Sequence, residues 1–151
     1  MASLLGPVGP ARPRRHRTNG NLPMEVLSAD IRPETSDQNL FVANCTASIR
    51  PATSYTNGVK LKLLREAGAD AANASKYDLD HIVPLAVGGH PRNLKNLMLQ
   101  PWDGDDGAKK KDRLEKQLQR LVCSKQLGLR DAQAAIYSDW KAAYRRYVSA
   151  F

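Results

Sequence analysis

Two short extended runs followed by a long amphipathic helix constrain the fold of this chain more than any other feature. The first run, residues 77–83, is broken by Pro84 and a glycine pair, and the second, residues 96–100, is closed by Pro101. The helix is indicated by four apolar residues at helical spacing, Leu114, Leu118, Leu121 and Val122. Strands this short, set between helices, predict an α+β fold rather than a doubly wound parallel sheet.

Helices are also predicted on both sides of the two runs. Asn57 can cap a helix that stops at Gly68. Asp105 or Asp106 can cap the long helix, which we expect to end near Gly128. A last helix is indicated by a further set of residues at helical spacing, Leu129, Ala132, Ile136, Trp140, Ala143 and Tyr147.

The chain divides into an arm and one folded domain. Residues 1–22 combine prolines, glycines and four arginines without apolar periodicity, which predicts a flexible basic arm. Residues 23–151 suffice for a single domain with its own core, in which residues 41–49 (FVANCTASI) favour a short strand. The apolar runs fall far short of the roughly 20 residues that cross a membrane, and we expect neither a membrane span nor a signal peptide.

Positive charge is concentrated in one segment of the domain. The chain carries 23 Lys and Arg residues against 15 Asp and Glu residues, which gives a net charge of +8. Seven of the basic residues lie between residues 109 and 125. Such a run is typical of a solvated helix face, and it also suits a surface that binds the phosphates of nucleic acid.

A carboxylate and an imidazole that are adjacent in sequence, Asp80 and His81, are the candidates for catalytic chemistry. On a regular strand, neighbouring side chains point to opposite faces, so both can serve one site only near a strand end or a bend. Pro84 and the following glycine pair supply such an interruption. Without further context, His81 also fits a hydrogen-bonded structural histidine.

Residues 77–115 resemble the HNH endonuclease family of ββα-metal nucleases. DHIVPLAVGG followed by NL is similar to the first half of the family motif, DLDH is similar to the HNH strand of RNA-guided nucleases, and KDRLE is similar to the start of the motif helix. Two further stretches resemble a compact bacterial group of the family: IRPATSYT, and VC followed by AQ and DW. The resemblance covers about residues 45–147 and implies a core of two short strands and a helix (residues 77–124) with flanking helices.

The resemblance implies a role for each residue of the motif. His81 would be the general base that deprotonates the attacking water, and Asp80 would be a ligand of one divalent metal ion. Asn96, with Asn93 as an alternative, would brace the loop that orients His81. Asp78 shares a strand face with Asp80, so it is a further candidate ligand. Mg²⁺ or Mn²⁺ is the expected metal, with Zn²⁺ or Ni²⁺ as alternatives.

The start of the motif helix departs from the family pattern. The family places a His or Asn ligand there, whereas this chain reads GDDGAKKKD. Asp106 or Asp112 can supply a carboxylate ligand instead, and His90, which follows the glycine pair, is a further candidate ligand. The alternative is a catalytically degenerate HNH-like module that binds nucleic acid.

Basic residues near the motif are the predicted contacts to nucleic acid. They are Lys109, Lys110, Lys111 and Arg113 at the start of the helix, with Arg92 and Lys95 in the loop between the strands. Because nothing resembles a base-reading module, we expect a largely non-specific DNA endonuclease, with RNA as an alternative substrate. If the domain is a delivered toxin, its partner would be an immunity protein.

Two cysteines, Cys45 and Cys123, lie too far apart in sequence for a zinc motif. They form either one disulfide or two buried free thiols. A disulfide, together with the resemblance to exported bacterial proteins, favours an exported or periplasmic location, although no signal peptide is recognised before the domain.

Overall fold

The computed structural model describes residues 22–31 and 45–149 of the chain. These residues form three α-helices and two β-strands. In chain order they are α1 (Thr53–Glu66), β1 (Tyr77–His81), β2 (Leu97–Pro101), α2 (Ala108–Cys123) and α3 (Leu129–Tyr147). Helices combined with a two-stranded antiparallel sheet agree with the predicted α+β class.

The register of the sheet decides which polar side chains share a face. β1 and β2 pair antiparallel, with Asp78 opposite Gln100, Asp80 opposite Met98 and His81 opposite Leu97. Directly opposed residues of an antiparallel pair lie on the same face. Asp78, Asp80 and Gln100 therefore share one face, and His81 stands on the other at the last residue of β1. His81 therefore lies at a strand end, which is the position that would let His81 and the adjacent Asp80 serve one site.

Helix α1 begins four residues before the predicted cap, Asn57, which lies inside the helix. Its N-cap is Ala52, and no side chain caps the helix. The earlier start is explained by a tertiary contact, since the hydroxyl of Tyr55 in the first turn donates to the carbonyl of Arg92 at 2.7 Å. The predicted stop is confirmed, because Gly68 has a φ of 74° just beyond the end of the helix.

Helix α2 has different boundaries from those predicted. Its N-cap is Gly107, since the side chains of Asp105 and Asp106 pair with lysines instead. It ends at Cys123 rather than near Gly128 because Lys125 takes the left-handed region with a φ of 64°. The turn that follows satisfies the last carbonyls of the helix.

Helix α3 covers the predicted residues but is interrupted at Asp139, whose backbone is extended. Asp139 Oδ1 accepts a hydrogen bond from the backbone N–H of Ala142 at 3.0 Å, which caps the second segment of the helix.

The strand predicted at residues 41–49 is not observed at residues 45–49, and residues 41–44 lie outside the described part of the chain. Thr46 Oγ1 and the Ser48 backbone N–H instead hydrogen-bond to the carbonyls of Ala86 and Leu85. The predicted flexible arm also lies outside the described residues, except for Leu22.

The core lies between α2, α3, the segment at residues 26–27 and the loop after β1. Its buried apolar residues are Val26, Leu27, Val83, Val87, Leu114, Leu118, Val122, Leu129, Ala132, Ile136 and Ala143. A disulfide between Cys45 and Cys123 ties the segment before α1 to the end of α2, which decides between the two predicted thiol states. None of the helices in the described part of the chain is long and apolar enough to cross a membrane.

Candidate functional site

His81 is held through one ring nitrogen, and the other ring nitrogen makes no hydrogen bond with any residue that the structure describes. The side chain is 7% exposed, and Nε2 lies 3.0 Å from the carbonyl oxygen of Pro91. A carbonyl only accepts, so Nε2 carries the proton and the lone pair of the neutral ring is on Nδ1. Burial is the main reason that the pKa of His81 is lowered, which favours the neutral ring. His81 is therefore prepared to accept a proton through Nδ1.

The loop that carries Pro91 is fixed by Asn96. This side chain is fully buried, and its Oδ1 accepts a hydrogen bond from the N–H of Val83 at 2.8 Å. Its Nδ2 donates to the carbonyls of Val83 at 3.0 Å and His90 at 2.9 Å. These are the contacts that bracing the loop requires. Asn93 instead caps a short turn by accepting from the N–H of Lys95.

Close backbone approach makes the same loop compact. A Cβ added at Gly89 would lie 1.7 Å from the carbonyl oxygen of Val83, so only glycine fits there. His90 takes part in the loop, since its Nδ1 accepts hydrogen bonds from the N–H groups of Arg92 and Asn93 at 3.1 and 3.0 Å. Among the described residues, no contact joins His90 to Asp78, Asp80 or Asp112, so the structure does not bring this predicted ligand to the carboxylates.

Lys111 differs from its predicted role as a surface contact to nucleic acid. The residue is 1% exposed, and its Nζ donates to Asp80 Oδ2 at 2.6 Å, the His81 carbonyl at 2.8 Å and Glu115 Oε2 at 3.2 Å. A buried ammonium with three acceptors is not available to a phosphate at the surface. Lys111 lies on the same helix face as Leu114 and Leu118, which is the sequence signal that could have indicated its burial.

Two carboxyl groups contact this buried ammonium, and two more lie within electrostatic range of that pair. Asp80 and Glu115 contact it directly, and Asp112 lies within electrostatic range of Asp78 and Glu115. Burial, followed by the charge of Asp80, raises the pKa of Asp78. Burial also raises the pKa of Glu115 to about 7, because it outweighs the attraction of Lys111. Burial is thus the main cause of the raised pKa of Asp78, whose charged neighbours are two carboxylates and two cations.

Two oxygen atoms on one sheet face accept no hydrogen bond from the described residues. Lys111 binds only Oδ2 of Asp80, and Oδ1 accepts no hydrogen bond from any described residue. Gln100 Oε1 is buried and likewise accepts none within the described part of the chain. Asp78 shares their face, and oxygen atoms of this kind are the ligands that Mg²⁺ and Mn²⁺ prefer. No set of three His, Cys, Asp or Glu side chains placed to hold a metal is found among residues 22–31 and 45–149.

The remaining predicted ligands lie apart from that face or at its margin. Asp112 is exposed on α2, and its effect on Asp78 and Glu115 is electrostatic only. Asp106 is exposed and pairs with Lys141 of α3. The ligand roles of both carboxylates stay predictions.

The predicted nucleic-acid contacts other than Lys111 lie in two regions. In the loop, the guanidinium of Arg92 lies 3.9 Å from the centre of the Tyr55 ring, and Lys95 pairs with Glu25. On α2, Lys109 pairs with exposed Asp103 at 2.9 Å. The other two α2 residues approach the ring of Tyr144: Lys110 at 4.8 Å and Arg113 at 5.7 Å.

Two cations near the site were missed by the sequence analysis. Arg50 lies within electrostatic range of both His81 and Asp78, and Lys60 of α1 lies within range of Asp78. Their positions depend on how α1 packs against the sheet, which residue spacing does not reveal. Gln100 was also missed, because its position opposite Asp78 follows only once the strand register is known.

Comparison with known proteins finds no matching family model, no matching curated protein and no matching solved structure. The residues around His81 and Asp80 therefore carry the functional assignment.

Proposed function

We propose that this chain is an endonuclease of the HNH type that hydrolyses phosphodiester bonds with His81 as general base. The observation that carries the proposal is the hydrogen bond from His81 Nε2 to the Pro91 carbonyl, which fixes the tautomer and leaves Nδ1 free. Support also comes from the lowered pKa of His81, since a neutral imidazole at pH 7 is the form that accepts a proton.

The surrounding residues divide the work of hydrolysis. His81 Nδ1 takes the proton of the attacking water, and Asn96 holds the loop that positions the ring. The exposed guanidinium of Arg50, within electrostatic range of His81, would bind the scissile phosphate. A divalent cation held by Asp80, Asp78 and Gln100 would supply positive charge to the phosphate and the leaving oxygen.

The proposed substrate is DNA, bound through its backbone and with little sequence preference. Exposed cations lie on two elements next to the motif in sequence, at Arg92 in the loop between the strands and at Lys109 on α2. Such contacts bind phosphate and carry no base information, so RNA of suitable shape is a second substrate to be tested. The Cys45–Cys123 disulfide supports an exported or periplasmic protein, and an immunity protein would be its partner if the domain is a delivered toxin.

A second candidate function is nucleic-acid binding without cleavage. The observation that favours it is Lys111, whose ammonium already occupies Asp80 Oδ2, combined with a helix start that offers no His or Asn. In that case the ion pair between Lys111 and Asp80 would replace the metal and maintain only the fold.

Supercoiled plasmid distinguishes the two functions. Wild type, His81→Ala and the surface control Lys62→Gln are each incubated with EDTA, Mg²⁺, Mn²⁺, Zn²⁺ or Ni²⁺, and nicking is followed alongside DNA binding. We expect wild type and the control to cleave with Mg²⁺ or Mn²⁺ and to stop in EDTA. His81→Ala should lose about 100-fold or more of the rate while it binds DNA as wild type does. If wild type binds DNA and cleaves with none of the metals, the enzyme proposal fails and the binding function remains.

A further inference from the structure

Exposed cations form a continuous row along one face of α2. Lys109, Arg113, Lys116 and Arg120 are all exposed, and they are spaced by four, three and four residues, which places them on the same side of the helix. The row extends about 16 Å at a rise of about 1.5 Å per residue. The row leads away from the end of α2 at which Lys111 binds Asp80 of β1.

The later part of this row lines a groove. Its volume is about 440 Å³, and it lies between α2 and the end of α3, lined by Arg113, Lys116, Gln117, Arg120, Tyr147 and Val148. No carboxylate is among these residues. The groove is therefore positively charged along its α2 wall.

Some exposed cations of the protein are paired with a carboxylate, whereas the groove cations are paired with none that the structure describes. Lys62 pairs with Glu66, Lys95 with Glu25, and Lys109 with Asp103. In contrast, the three groove cations form no salt bridge with any residue that the structure describes; they are Arg113, Lys116 and Arg120. Like charges held together without acidic partners repel one another, and a bound polyanion removes that repulsion.

Aromatic rings of α3 hold part of the basic surface in place. The guanidinium of Arg113 and the ammonium of Lys110 both approach the ring of Tyr144. Tyr147 lines the groove, and Arg146 lies 5.2 Å from the centre of its ring. These cation–π contacts orient the basic side chains before a ligand binds.

We propose that this groove binds the sugar–phosphate backbone of DNA, so that the strand continues along α2 beyond the cleavage site. The inference rests on the proposed nuclease function and extends its substrate site by Lys116, Arg120 and Tyr147. A row of about 16 Å matches roughly five phosphates at an axial spacing of about 3.4 Å per strand. An acidic protein surface is the competing occupant, and the linear row of cations favours a nucleic-acid strand over it.

The test compares two double variants with equal loss of charge. Lys116→Gln/Arg120→Gln removes two groove cations but keeps Arg113, whereas Lys62→Gln/Arg65→Gln removes two exposed cations of α1. Binding of each protein to a 20-base-pair duplex is measured by fluorescence anisotropy between about 50 and 200 mM salt. We expect the groove variant to lower the slope of log K against log salt by about two and to weaken binding about tenfold or more at 50 mM. The α1 variant should keep the wild-type slope, and thermal unfolding of both variants checks that they fold.

The outcomes separate this inference from the proposed function. If wild type cleaves plasmid but both double variants share its salt slope, the groove assignment is overturned and the nuclease stands. If wild type binds polyglutamate more tightly than the duplex at equal charge, an acidic protein is the occupant and the assignment is also overturned. If wild type does not cleave plasmid but the groove variant has a lower salt slope of DNA binding, the enzyme proposal is overturned. The groove assignment then stands as a DNA-binding site.

Discussion

Asn96 and Lys111 are both almost fully buried, and each makes three hydrogen bonds to groups around His81. Asn96 acts on the loop that carries the Pro91 acceptor, and Lys111 binds the backbone carbonyl of His81 itself. A buried polar group that loses its partner costs about 1–3 kcal/mol, so the backbone of His81 and the loop that carries its ring acceptor are both strongly constrained.

Replacement of Asn96 should affect stability far more than replacement of its neighbour. Asn96→Ala leaves the N–H and carbonyl of Val83 and the carbonyl of His90 without their partner, and we expect a loss of about 2–4 kcal/mol in the free energy of unfolding. Asn93→Ala removes one exposed turn cap and should cost about 1 kcal/mol or less. Urea denaturation of both variants measures the difference, and equal losses would contradict the bracing role.

The raised pKa of Glu115 predicts a pH-dependent stability. The pKa is about 7 in the native state against an ordinary value of 4.5, so between these pH values the native protein holds a proton that the unfolded chain has released. The stability that this proton provides is therefore present below about pH 4.5 and lost as the pH rises to 7.

Comparison with Glu115→Gln isolates this contribution. Between pH 5 and pH 8, wild type should lose about 2 kcal/mol more in the free energy of unfolding than the variant, which cannot ionise. Chemical denaturation across this range measures both proteins. If the free energy of unfolding changes with pH in the same way in both proteins, Glu115 is ionised throughout this range.

At the scale of the elements, the loop between β1 and β2 depends on one close backbone approach. Gly89→Ala would place a Cβ against the Val83 carbonyl, and we expect a loss of about 3 kcal/mol or more because backbone must move. Gly58→Ala is the matched control, since Gly58 lies inside α1 with no atom within 4 Å of an added Cβ. The control should gain about 0.5–1 kcal/mol from helix propensity. Thermal unfolding measures the stability of both variants. Similar changes in stability would contradict the close approach of Gly89 to the Val83 carbonyl.

The order of the elements could be predicted from the sequence because each element carries its own signal. Leu114 and Leu118 mark the buried face of α2, and Pro84 marks the interruption after β1. The helix starts were harder to predict. Asn57 has the chemistry of a cap, but the contact of Tyr55 with a distant loop extends α1 beyond it. Propensity is local, and such a contact outweighs it.

The candidate site could be predicted only in part, for the same reason. Asp80 and His81 follow from the motif and from their position at a strand end. The partners of Lys111 and the approach of Arg50 depend on how α1 and α2 pack against the sheet. Gln100 depends on the strand register. These contacts join residues far apart in sequence, and no local pattern encodes them.

At the scale of the whole molecule, one covalent link closes a long loop. The disulfide joins residues 78 positions apart, and in the chain-entropy model it stabilises the native state by about 4.5 kcal/mol. Cys45→Ser/Cys123→Ser should therefore lower the free energy of unfolding by about 3–5 kcal/mol. Denaturation of wild type with and without a reductant provides the comparison, and the reductant should leave the double variant unchanged. A variant as stable as oxidised wild type would show that the link adds nothing.

The interruption of α3 at Asp139 separates the helix into two segments, and we expect the two to differ in how readily they unfold locally. Residues 129–138 supply three of the four α3 residues of the buried core, whereas residues 140–147 supply only Ala143 and are too few to remain helical without their cap and their contacts to α2. Local opening should begin in this last segment, so its amide hydrogens should exchange with solvent sooner than those of residues 132–136. Tyr147 lines the groove, so a DNA strand bound there would slow the exchange of this segment. Amide exchange at the end of α3 would then detect DNA binding away from His81.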